Sequence, residues 1–175
     1  VIAMGVMPAP VQWRTWPEDR VVVSEEGKLA TQTAEEWSLT HTGEELTEGR
    51  HYWEVELVEG GGIFGVCRPD ADPRAEQWRR ADTTAWLMNA FTGSLYGNGK
   101  YHSDGAGRFN DGDRMGILLD LNDGSLRFFK NGVEHGPGYP AGSVAGPVAR
   151  AAQMFWEGNA VRLLPDAAWP AGHAP

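Results

Sequence analysis

The segment Gly49-Arg50-His51-Tyr52-Trp53-Glu54-Val55-Glu56-Leu57 limits what this chain can fold into more than any other. Its residues alternate in character. His51, Trp53, Val55 and Leu57 project to one side, Tyr52, Glu54 and Glu56 to the other. Successive side chains of an extended backbone point to opposite faces of a sheet, so this is the period-two signature of a strand with one buried face.

The rest of the chain has the same texture. Twenty-three glycines and eleven prolines punctuate it at short intervals, and short apolar runs alternate with turn signals. That pattern predicts an all-β sandwich or barrel. The clearest piece covers residues 112–134. Met115, Ile117, Leu119 and Leu121 alternate with Arg114, Gly116, Leu118 and Asp120. Asn122-Asp123-Gly124 then turns the chain, Leu126 and Phe128 continue the buried face, and Asn131-Gly132 makes a second turn, because these residues tolerate positive φ. This is a β-meander. Further strands are expected over residues 21–24, 37–40, 50–57, 63–67, 84–88, 94–96, 147–155 and 160–164. Gly60-Gly61-Gly62 is expected to be a flexible hairpin loop. Only residues 73–80 have helical composition, enough for one or two turns.

A chain of 175 residues suggests one domain. Residues 1–20 are expected to be an arm packing on the sandwich, residues 21–165 the sandwich, and residues 166–175 an Ala/Pro-rich tail that Trp169 could fold back. Hydrophobic residues make up 41% of the chain and eight tryptophans add bulk, so two sheets can bury a full core. The net charge of −9 makes nucleic acid and anionic membranes poor partners. The single cysteine, Cys67, lies in an apolar run and reads as a small core residue. Residues 1–10 lack a charged leader and a long apolar stretch, and no segment is long and apolar enough to span a bilayer. The expectation is an intracellular domain, monomeric when isolated, without disulfide or cofactor.

Several motifs in order resemble the SPRY domain family. Gly49 to Leu57 is similar to its "GxHYWEVE" strand and Gly65-Val66-Cys67 to the "GVC/GVA" strand that follows. Trp86-Leu87 with Gly93 is similar to "W-x-L…G". Residues 112–120 resemble "GDxVGVLLD", residues 124–132 resemble "GTLSFYKNG", and Pro147-Val148 resembles "PxV". The resemblance runs over residues 21–164, without the "LDP" start of tripartite-motif extensions. It implies a two-sheet antiparallel β-sandwich of the concanavalin-like kind, and a non-enzymatic module binding a peptide or exposed loop of a protein partner. It also implies a site on loops at one end of the sandwich.

Four segments map to such loops: residues 34–37, 68–70, 93–96 and 154–157. The resemblance points to Tyr96, in a "G-x-LY" segment, and to Trp156, near a loop where the family's ligase adaptors carry "VWG". Arg68, Phe155, Glu157 and Trp37 complete the candidates, because aromatics and arginine dominate binding hot spots. If Tyr96, Arg68 and Trp156 converge, the patch suits a peptide offering an acidic or amide side chain, which a guanidinium can grip.

Two other functions fit parts of the sequence. Glu54 and Glu56 share a strand face about 7 Å apart, a spacing compatible with a jelly-roll glycoside hydrolase. Trp156 or Tyr96 could stack sugars in a sandwich lectin. Other chemistry is weaker. Tyr101-His102-Ser103-Asp104 crowds into one segment residues that a catalytic triad draws from several. Gly97-Asn98-Gly99-Lys100 lacks the phosphate-loop pattern. Asn110-Asp111-Gly112-Asp113 lacks the last ligand of a calcium loop, and the five histidines show no zinc spacing. Trp78-Arg79-Arg80 is a small basic cluster in an acidic chain.

Overall fold

The computed structural model describes residues 5, 9–75, 84–97 and 105–175, and the backbone of 100–101. The described strands are β1 Val21–Ser24, β2 Leu29–Gln32, β3 Ser38–His41, β4 Arg50–Glu59, β5 Ile63–Cys67, β6 Ala85–Asn89 and β7 Leu95–Gly97. They continue with β8 Lys100–Tyr101, β9 Arg114–Asp120, β10 Ser125–Lys130, β11 Val133–Glu134, β12 Ala149–Met154 and β13 Ala160–Leu164. All neighbours pair antiparallel, in a seven-stranded sheet ordered β1-β2-β13-β4-β9-β10-β11 and a six-stranded sheet ordered β3-β12-β5-β6-β7-β8. No helix occurs among the described residues. Asp72 and Ala75 close a turn, and the remainder of the expected helical stretch, with Trp78-Arg79-Arg80, lies outside the described residues.

The alternation in β4 has the expected sense. Trp53, Val55 and Leu57 enter the core between the sheets, where they meet Met115, Ile117, Phe128 and Leu163 of their own sheet and Phe64, Val66, Trp86 and Met88 of the other. The meander β9-β10-β11 is present in register. Asn131 and Gly132 both hold positive φ at its tip, as a two-residue hairpin requires. The segment before β1 bonds the turn between β1 and β2 through Val11 and Trp13 and then reaches the end of β3. There Thr15 pairs with His41, and Trp13 drops into the core.

The triple glycine differs from expectation. It joins β4 of one sheet to β5 of the other, so it is a crossover and not a hairpin. It is also packed tightly. A Cβ on Gly61 would lie 2.7 Å from Cζ of Phe91, and one on Gly60 would overlap the Asn159 amide.

Each sheet also buries part of its outer face. On the six-stranded sheet, Leu39, Ile63, Cys67, Leu87, Tyr96 and Ala151 form a second cluster with Ala71 and Trp37. On the seven-stranded sheet, Tyr52, Leu118 and Phe129 are covered by Ala167 and Trp169 of the C-terminal segment.

Candidate functional site

A groove of about 370 Å³ opens where β5 begins and β6 and β12 end. Its walls are Trp37, Phe155, Trp156 and Phe91, and its floor includes Ile63, Met154 and Gln153. The Trp37 and Phe155 rings are 4.9 Å apart at their centroids, tilted by 55°. Phe155 and Trp156 meet edge to face at 4.9 Å. Trp156 is 51% exposed, so the array opens to solvent.

The walls are held by local chemistry. The Trp156 amide donates to Oδ1 of Asn159, and the Asn159 amide donates back to the Trp156 carbonyl, closing a tight turn after β12. The Gly158 amide fixes that turn to the Gln32 carbonyl at the end of β2. Gln32 then holds the segment that presents Trp37. Its Nε2 donates to the carbonyls of Ala34 and Glu36, and its Oε1 accepts from Ser38. Arg20 donates to the Trp37 carbonyl at 2.6 Å and pairs with Glu36 at 2.8 Å. On the opposite wall, Asn89 Oδ1 accepts from the Phe91 amide. A groove fixed this way loses little conformational freedom on binding.

Gln153 is the unusual residue. It is 0% exposed on the outer face of β12, and its Nε2 donates to the Ala75 carbonyl at 3.0 Å. That bond fixes the amide, and Oε1 is left buried without a donor among the described residues. A buried acceptor in that state carries an uncompensated desolvation cost.

The structure brings together Trp37, Phe155 and Trp156, with exposed Glu157 following on the rim. It does not bring Arg68 or Tyr96 to them. Arg68 follows the far end of β5, about 16 Å of strand away from Ile63. There its guanidinium stacks 4.9 Å from the Trp86 ring centroid and donates to the carbonyls of Ala145 and Pro147. Its donors therefore cap the core. Tyr96 lies mid-sheet opposite Leu87 and is 7% exposed, within the second apolar cluster. The expected convergence of Tyr96, Arg68 and Trp156 is thus corrected, because β5 separates two of them and packing covers the third.

The sequence reading missed Phe91, Asn89, Gln153 and Asn159. The one available signal was Gly60-Gly61-Gly62, whose missing side chains admit the Phe91 ring and the Asn159 amide.

The carboxylate pair sits elsewhere. Glu54 and Glu56 lie on the outer face of the seven-stranded sheet. Glu54 accepts from the Tyr52 hydroxyl at 2.6 Å and pairs with Arg114, and Glu56 is gripped by Arg162, which also pairs with Glu25. Neither acid lines the adjacent groove of Lys28, Arg114, Arg162 and Leu164. The arrangement is a structural ion-pair ladder on the sheet's outer face. Cys67 is fully buried, and burial pushes its thiol up to about 12, so it is not a nucleophile at neutral pH. Among the described residues no cluster of three His, Cys, Asp or Glu side chains could hold a metal ion. The Tyr101–Asp104 stretch falls largely outside the described residues.

This two-sheet antiparallel sandwich, with its groove at strand ends, defines a recognised class. The SPRY domain family model matches residues 50–156, and the chain belongs to that family. The SPRY domain of human HERC1 superposes with a TM-score of 0.73 at 20% identity, covering 88% of this chain and 99% of that one. A second human SPRY domain gives a TM-score of 0.66 at 18% identity, with 89% and 99% covered. Among curated proteins, the E3 ubiquitin-protein ligase TRIM11 of Bos taurus is 37% identical over 87 residues, 49% of this chain and 18% of the relative. SPRY domain-containing SOCS box protein 3 of Xenopus tropicalis is 30% identical over 95 residues, 49% of this chain and 26% of the relative. The chain therefore matches only a minor part of these longer proteins. SPRY domains are commonly protein–protein interaction modules and are generally non-catalytic.

Proposed function

We propose that this chain recognises a short peptide or an exposed loop of a partner protein in the groove of Trp37, Phe155 and Trp156. One observation carries the reading: a solvent-open aromatic array whose walls are fixed by hydrogen bonds, on a fold whose family binds proteins. Aromatic anchors of this kind supply large contact area at low entropic cost. Binding needs no covalent chemistry from the chain.

Peptide display against the 175-residue chain, followed by titration calorimetry, tests this. Phe155→Ala and Trp156→Ala are each expected to weaken a selected peptide by about 1–3 kcal/mol. Unchanged affinity in both would move the site. Arg68→Ala and Tyr96→Phe serve as comparisons. A loss of affinity in Arg68→Ala at unchanged stability would place the ligand at the opposite end of β5.

A second reading, a carbohydrate-binding sandwich, is favoured by one feature. The groove sets Trp156 beside the amides of Asn89, Gln153 and Asn159. A glycan array probed with the same variants separates the two, since binding of a glycan that depends on Trp156 would favour the lectin.

A further inference from the structure

The groove's polar character specifies more than an apolar anchor. Among the described residues no charged side chain lines it. Of its three amides, Asn89 and Asn159 turn their carbonyl oxygens to backbone amides of their own loops. Gln153 Oε1 is the remaining acceptor, fully buried and unpartnered among the described residues. The missing partner is a hydrogen-bond donor.

The surroundings favour a charged one. Glu35, Glu59 and Glu157 are exposed beside the groove walls and form no ion pair among the described residues. Glu35 precedes the Trp37 wall, Glu157 follows Trp156, and Glu59 Oε1 lies 3.8 Å from where a Cβ on Gly158 would sit. Arg20, which donates to the Trp37 carbonyl, is already committed to Glu36. The aromatic faces add to this, because an electron-rich ring attracts a cation within about 6 Å. Phe91 already takes the Arg108 guanidinium 5.9 Å from its centroid, while Trp156 stays half exposed. The whole chain carries a net charge of −9, which draws basic ligands toward it.

We propose that the groove selects an arginine or lysine side chain presented by a protein partner. The alkyl stem lies along Phe155 and Trp156, an N–H of the charged head serves Gln153 Oε1, and the exposed Glu35, Glu59 and Glu157 around the rim supply a negative field that favours its charge. This rests on the groove being the partner site, and it reverses the acidic preference that Arg68 suggested from sequence. Arginine fits particularly well, because its planar head stacks on indole and carries five donors.

Heptapeptide pools with randomised flanks and one fixed central residue (Arg, Lys, Gln, Leu, Trp or Glu) supply the test, read by fluorescence anisotropy on the whole chain. The Arg or Lys pool is expected to bind at least about tenfold more tightly than the Glu pool, and more tightly than the Gln and Leu pools. That preference should fall as salt rises and vanish in Trp156→Ala. Glu59→Lys with Glu157→Lys, both on the surface, is expected to reduce Arg-pool binding about tenfold at an unchanged melting temperature. Binding that depends on Trp156 but favours the Leu, Trp or Glu pool would overturn the basic ligand and leave the groove standing as the site. Arg-pool binding indifferent to the double charge reversal would also overturn it. If no pool shows binding that depends on Trp156, both this inference and the groove reading fail.

Discussion

The Arg150 guanidinium sits 5.0 Å from the centroid of the Trp53 ring, between the two sheets, and pairs with the Glu44 carboxylate at 2.8 Å. Arg150 comes from the inner face of β12 and Trp53 from the facing strand β4. A cation inside a sandwich is costly unless paired, and burial alone depresses the guanidinium's proton affinity while Glu44 restores part of it. Glu44 therefore guards the core although it is itself half exposed.

Glu44→Gln should cost about 1–2 kcal/mol, less than the cost of breaking a fully buried pair, because water can reach the Glu44 side. Arg150→Met removes the charge and keeps most of the stem. Once it is made, Glu44→Gln should cost little more, giving a coupling of about 1 kcal/mol in a double-mutant cycle by urea denaturation. Strict additivity would mean the pair is not coupled.

Two tryptophans should separate stability from recognition. Trp53 is 0% exposed in the inter-sheet core, so Trp53→Ala is expected to cost about 3–5 kcal/mol. Trp156→Ala, at a half-exposed rim position, should stay within about 0.5 kcal/mol of wild type. A large loss in Trp156→Ala would make that ring a structural cap and remove it from the binding surface.

Asp113 should contribute to acid sensitivity. Its carboxylate accepts from the Asn110 amide and from the Asn131 side chain, with Lys130 nearby, and these hold its pKa below the ordinary value of 3.8. A carboxyl depressed in the folded state adds stability that is complete above its unfolded pKa and is lost as pH falls through the folded one. Below about pH 4 the wild type should therefore lose stability faster than Asp113→Asn. Parallel acid limbs for the two proteins would show that this clasp does not contribute.

The parts legible from sequence are those that carry their own local signal. The faces of β4, β9 and β10 follow from large apolar residues at every second position. Strand β2 does not, because Leu29-Ala30-Thr31-Gln32 has one large apolar residue. Its buried positions, Ala30 and Gln32, are explained only by β1 and β13 on either side. The site divides the same way. Trp37, Phe155 and Trp156 announce themselves as aromatics next to strand ends. Phe91, Asn89 and Gln153 join them only because β5, β6 and β12 lie side by side in the folded sheet, a long-range pairing that no local pattern encodes. Arg68 misleads for the same reason, since its partner Trp86 lies on the neighbouring strand β6.

The C-terminal segment is expected to be part of the fold and not a loose tail. The Trp169 ring lies 5.8 Å from the Tyr52 ring, and the Arg50 guanidinium lies over the indole, 5.3 Å from its centroid. His173 packs edge to face on Phe129 at 5.3 Å, and Arg50 donates to the Ala174 carbonyl at 3.0 Å. Together they cover Tyr52, Leu118 and Phe129, three large residues on an otherwise open sheet face. Burying one such aromatic is worth about 1.5–3 kcal/mol, so Trp169→Ala should cost about 1–2 kcal/mol given its partial exposure. Removing residues 166–175 should cost more and leave a contiguous apolar patch that binds a hydrophobic dye and promotes self-association. Denaturation midpoints and light scattering of the truncated chain provide the measurement. A truncated chain with the wild-type midpoint and no added dye binding would show that the segment merely rests on the sheet.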